Sequence, residues 1–141
     1  MGTYPKSPSE MAGGMRYFAR MVDKIRLHAC DELPEDYHKN LGRLRTADGA
    51  CCNFLRISYV DLCQRVKQGG TDAEILEWCY EKGRRLNEGD LLVWNEFMRK
   101  FGWNDFATPT LEEQKQNLGI ADRTDIVTMG QLFDVEEGRA N

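Results

Sequence analysis

The sequence predicts an all-α domain, a compact bundle of about seven short-to-medium helices around a central one. Three observations carry that expectation. Residues 15–30 hold no Gly or Pro, and Met15, Phe18, Ala19, Val22, Ile25 and Ala29 form one stripe at helical spacing. Three capped units follow one another between Ser58 and Gly102. The connections between such units are short, as in helical bundles. At 141 residues the chain is expected to be one domain, 1–141, with 1–6 and 136–141 as flexible tails.

Taken in order, Ser7-Pro8-Ser9-Glu10 reads as a helix start. Ser7 caps, Pro8 fits the first helical position, Glu10 closes the box, and Gly13-Gly14 ends the element. The central helix, 15–30, would run about 24 Å and stop around Asp31-Glu32, with Pro34 beyond. Pro34 to Gly42 reads as a helical turn, and Arg43 to Gly49 as a loop. The next stretch is ambiguous. Asp48 can cap a helix, yet Phe54 to Val60 carries aromatic and β-branched residues suited to a strand. Helix is preferred because clean helical units follow.

Those units open at Ser58-x-x-Asp61, Thr71-x-x-Glu74 and Asn87-x-x-Asp90 and close at Gly69-Gly70, Gly83 and Gly102. Their apolar faces are Leu62 with Val66; Ile75, Leu76 and Cys79; and Leu91, Trp94, Phe97, Met98 and Phe101. Thr108-Pro109 starts another helix, running to Gly119. Asp122 or Thr124 starts the last, through Ile126, Met129 and Phe133. Glu136 to Asn141 reads as a polar tail.

Composition narrows the function. The formal charge is −4, against a general nucleic-acid binder, which needs an excess of Lys and Arg. No apolar run approaches the roughly 18 residues of a membrane span. The start of the chain lacks the apolar core of a signal peptide, and Lys6 stands where a myristoylation motif wants Ser or Thr. Five cysteines without a Cys-x-x-Cys pair read as reduced thiols in a cytoplasm. Neither a cofactor nor a metal is expected.

Several segments together carry a resemblance: Ser7-Pro8, Gly13-Gly14, Ala19-Arg20-Met21-Val22-Asp23-Lys24, Leu33-Pro34-Glu35-Asp36-Tyr37-His38, Cys51-Cys52 and Trp94-Asn95-Glu96-Phe97. In this order, over nearly the whole chain, they resemble the bacterial family known as domain of unknown function 5069. The resemblance implies a small cytoplasmic bacterial protein and brings no catalytic residues with it.

Four constellations could carry chemistry. Arg16, Arg20 and Lys24 would lie one turn apart on the central helix, with Asp23 and His28 alongside. They read as a solvated face or as salt bridges to other segments or, more sharply, as a ridge for a small anion or an acidic protein surface. The terminal acids Asp134, Glu136 and Glu137 read as a solvated end or as a docking partner for the ridge. His28 and His38 flank the acidic loop of Asp31, Glu32, Glu35 and Asp36, a metal-ligand chemistry without metal-selective spacing; structural or surface histidines are the plainer reading. Cys51 would fall at the third helical position if Asp48 caps, where a thiolate is favoured. Cys51 or Cys52 with His38 would then make a nucleophile and base, against inert packing. Cys30, Cys63 and Cys79 read as core. The Trp94, Phe97, Met98, Phe101 stripe is a core face, and Trp103, beyond Gly102, is expected to be partly exposed at a contact surface.

The function expected from these residues is non-enzymatic ligand binding or protein interaction through the polar face of 15–30. A small cysteine enzyme built on Cys51 or Cys52 with His38 is the alternative, and a metal-dependent helical hydrolase a weaker one. Partners are an unknown small anion or an acidic protein surface, with no nucleic acid and no membrane.

Overall fold

The computed structural model describes residues 3–141; expectations about Met1 and Gly2 lie outside the described residues. The fold is the expected helical bundle, with one correction at its start. Where a first helix was expected, the chain makes a small hairpin, β1 (Met11–Ala12) antiparallel to β2 (Met15–Arg16), with Ala12 opposite Met15. Gly13-Gly14 makes the turn possible. Both take positive φ, +57° and +78°, the requirement of a two-residue type I′ turn, which pairs strands. Ser7 does act as a cap, but of one turn only: Glu10 N–H donates to Ser7 O at 3.1 Å and Ser9 N–H to Ser7 Oγ at 3.2 Å.

The central helix therefore starts later than expected, as α1 (Phe18–Ala29). The chain enters it through Tyr17, at φ +76°, a left-handed conformation costly for a bulky residue. Phe18, Ala19, Arg20, Met21, Val22, Lys24 and Ile25 are all buried, so the first two turns are enclosed on nearly every side. They pack on the hairpin and on α3 (Tyr59–Lys67) and α4 (Asp72–Lys82). The last turn projects past the core, so Ala29 and Cys30, both read as buried, are exposed.

Pro34 leads into a 3₁₀ turn, Glu35–Asn40, as expected. α2 (Ala47–Leu55) is capped by Thr46, not Asp48; the Thr46 hydroxyl accepts from Gly49 N–H. It ends at Arg56, φ +61°, and a two-residue link leads into α3, so 54–60 is neither a strand nor one helix. Ser58, Thr71 and Asn87 cap α3, α4 and α5 (Glu88–Lys100) as predicted, with Glu74 and Asp90 returning the second bond of their boxes. At the junction of α2 and α4 a side chain on Gly83 would strike Leu55 O, 2.0 Å from its ideal Cβ. α6 (Thr108–Asn117) carries Pro109 in its first turn. α7 (Met129–Glu136) starts at Thr128, beyond the expected Asp122 or Thr124, because Thr128 and Gln131 form its capping box.

The stripe on α5 is core as read. Trp94 stacks with Phe54 at 5.1 Å, Phe97 follows Trp94 at 5.7 Å, and Phe101 follows Phe97 at 5.5 Å. Cys79 is buried and Cys63 half-buried. The two ends of the described chain are held together: Pro5 is fully buried and its carbonyl accepts from Arg139. Among the described residues no helix is long and apolar enough to cross a membrane.

Candidate functional site

The expected ridge divides on folding, because Arg16 belongs to β2 and the other two cations to α1. Arg20 is only 2% exposed and Lys24 only 8%, so neither lies on a solvated face. A buried guanidinium or ammonium needs a counter-ion and hydrogen bonds, and each has them. Arg20 meets Glu137 in a two-pronged pair at 2.9 and 2.8 Å and donates to Lys6 O at 3.0 Å. Tyr37 and Arg139 also donate to the Glu137 carboxylate, and the guanidinium lies 4.5 Å from the Phe133 ring centre. Lys24 Nζ stands 2.8 Å from Asp48 Oδ1 and donates to Tyr17 OH at 2.9 Å. Tyr17 OH donates to the same carboxylate at 2.6 Å, and Gly42 N–H reaches its other oxygen at 3.1 Å.

The electrostatics follow from that packing. Burial pushes the Glu137 carboxyl up, but the hydrogen bonds and charge of Arg20, with Tyr37 and Arg139, outweigh it and leave the group below its ordinary value. Burial lowers the Lys24 ammonium, and Asp48 restores only part of that. Burial, then Asp48, holds the Tyr17 hydroxyl well above its ordinary value. Both clusters are fastenings inside the core. The Arg20 knot ties the C-terminal segment to α1, and the Lys24 knot ties α1 to α2.

The remaining candidates are dispersed. Asp23 accepts Lys6 N–H at 3.0 Å. His28 and His38 meet edge to face, ring centres 4.6 Å apart, with His38 Nε2 3.1 Å from Leu33 O. Among the described residues no three His, Cys, Asp or Glu side chains gather at metal-holding distance. Cys51 is fully buried and Cys52 nearly so. Burial raises the Cys51 thiol well above its ordinary value and pushes Cys52 up to about 12. Because Thr46 caps α2, Cys51 falls two residues deeper than the third helical position, away from free backbone donors. Cys52 Sγ contacts Met21 Sδ at 3.8 Å, and neither thiol bonds to His38 among the described residues.

Arg16 is the member left half-buried, and its backbone is firmly placed. Arg16 N–H donates to Asn95 Oδ1 at 2.9 Å, Arg16 O accepts from the Trp94 indole at 2.8 Å, and Asn95 Nδ2 donates to Gly14 O at 2.8 Å. The hairpin is thus clipped to α5. A second link, Met129 N–H to Phe101 O at 2.8 Å, docks the start of α7 on the end of α5. Between these attachments lies a cleft of about 510 Å³. Arg16, Arg99, Lys100 and Trp103 line it, with Thr128, Gly130 and Gln131 at the start of α7.

Charge in the cleft is unbalanced. Arg99 and Lys100 share one partner, Glu96, at 2.9 and 3.6 Å, and Arg16 has no carboxylate partner among the described residues. Asp134 also lines the cleft, but it is engaged by Ser7 Oγ at 2.9 Å and Arg139 at 3.1 Å. The start of α7 adds the positive end of a helix dipole. The arrangement can hold an anion against guanidinium and ammonium groups.

Arg99, Lys100 and Thr128 carried no weight in the sequence reading. A signal for them existed: Arg99-Lys100 is a basic pair in a last helical turn, and Thr128-x-x-Gln131 is a capping box. What joins them to Arg16 is tertiary. A family model described as domain of unknown function (DUF5069) matches residues 2–139. No curated protein matches the chain.

Proposed function

The chain belongs to this family, DUF5069, and from that premise we propose that it is a binding domain whose cleft between the hairpin, α5 and α7 takes an anionic group. The observation that carries the proposal is Arg16. Arg16 has no carboxylate partner among the described residues and lines a concavity with Arg99 and Lys100, which share Glu96, and with Asp134, which Arg139 engages, in a chain whose net charge is −4. Uncompensated positive charge set in a cleft attracts and retains anions. The volume falls in the usual range for small-molecule sites, roughly 300–1,000 Å³. A cytoplasmic location accords with five cysteines of which none is paired.

Calorimetric titration with inorganic phosphate at moderate salt tests the proposal on the wild type and on R16Q. The Arg16 side chain makes no internal bond among the described residues, while its backbone holds the clip, so R16Q leaves the fold intact. The expected result is saturable binding that weakens about tenfold or more in R16Q, as for loss of a charge-assisted pair. Equal affinity in the two proteins, or no binding at about 10 mM phosphate, a level that detects even interactions of about −4 kcal/mol or weaker, would overturn it.

A further inference from the structure

We infer that the ligand of this cleft joins its anionic group to a flat aromatic ring, as in an aryl or nucleobase phosphate of mononucleotide size. The inference rests on the anion-binding reading and concerns the half of the cleft that an anion leaves empty. A tetrahedral anion displaces only a few waters of roughly 30 Å³ each, whereas the open cleft measures about 510 Å³. The rest of its wall includes Trp103, Met98 and Val127.

Trp103 is 54% exposed, unusual for the largest apolar side chain. It is held in place rather than trailing. Gly102, at φ +101°, turns the chain out of α5, and Trp103 N–H donates back to Lys100 O at 2.9 Å. Where Trp94 donates its indole N–H to Arg16 O, the indole N–H of the exposed Trp103 has no protein partner among the described residues. The cleft therefore includes an exposed tryptophan with an unpartnered indole N–H, in the same lining as cations that favour phosphate. Nucleic-acid-binding proteins hold bases by that combination of stacking and charge, without sequence readout. The concavity favours a small molecule over a protein surface, which would meet a flatter patch.

The test compares inorganic phosphate, phenyl phosphate, adenosine monophosphate, adenosine and a hexaglutamate peptide on wild type, W103A, W103F and R16Q. Affinity is read by calorimetry, and contact by the NMR shift of the Trp103 indole N–H. Phenyl phosphate and adenosine monophosphate should bind at least about fivefold tighter than phosphate, the low end of stacking on an aromatic side chain. W103A should remove that gain and leave phosphate affinity within about twofold, while W103F keeps most of it. Phosphate binding with no gain from a ring overturns the inference and leaves the anion-binding reading standing. A gain insensitive to W103A, or hexaglutamate binding tighter than adenosine monophosphate, overturns it as well. Absence of binding by every anion removes both readings together.

Discussion

Replacing Asp48 by Asn should be among the most damaging single changes in the protein. The carboxylate is fully buried and takes Lys24 Nζ at 2.8 Å, Tyr17 OH at 2.6 Å and Gly42 N–H at 3.1 Å. Asn preserves the shape but has one acceptor oxygen, so it can accept from Tyr17 or from Gly42 and not both, and the change removes the charge together with one accepted bond. At 2.8 Å and an effective dielectric of about 20, the Lys24–Asp48 attraction is about 6 kcal/mol before desolvation is subtracted. Removing one member of such a pair leaves an ammonium buried without compensation, and about 3–5 kcal/mol of stability should go with it. That is a large share of the roughly 5–15 kcal/mol a domain of this kind holds. Urea unfolding of wild type, D48N and K24M/D48N separates the causes. The double variant should be more stable than D48N alone, because a methionine in place of Lys24 removes the stranded charge. A D48N loss below about 1 kcal/mol, or a double variant less stable than D48N, would refute the reasoning.

Two further outcomes follow from the same packing. Glu137 titrates below its ordinary value, so its stabilising contribution is full above the unfolded carboxylate pKa of about 4.3 and is lost as pH falls through the lower folded value; the stability gap between wild type and E137Q should shrink from pH 6 toward pH 3, and a constant gap would contradict the assignment. With Cys51 and Cys52 buried and raised while Cys30 is exposed, alkylation of the folded protein at neutral pH should mark Cys30 first; fast modification of Cys51 or Cys52 below pH 7, lost on H38A, would restore the cysteine-enzyme alternative.

The helical class and the caps at Ser58, Thr71 and Asn87 were legible because capping is local: the donors and the accepting side chain lie within three residues. Gly13-Gly14 shows where a local signal has two meanings. The same pair ends a helix or turns a hairpin, and the decision falls to Asn95 and Trp94, about eighty residues away, which hold the second strand. That the basic line could pair with acids on other segments was legible, the terminal group of Asp134, Glu136 and Glu137 among them, but which acid takes which cation was not. Its members share spacing, but the acids that draw Arg20 and Lys24 inward, Glu137 and Asp48, lie on other elements. Glu137 belongs to a terminal acidic group that reads either as a solvated end or as a docking partner for the basic line, and the structure makes it the latter; Asp48 reads as a cap. Trp103 could be read as partly exposed because a glycine separates it from its helix, whereas its placement beside Arg16 depends on how the hairpin and α7 dock on α5.

The direct test of the cleft is the map of amide and side-chain shifts when phosphate is titrated into the ¹⁵N-labelled protein. If the cleft is the site, the largest changes fall on Arg16, Lys100, Trp103 and Gly130, and R16Q moves those that remain together to about tenfold or more higher phosphate. Changes centred instead on the His28–His38 contact or the exposed end of α1, persisting in R16Q, would contradict it.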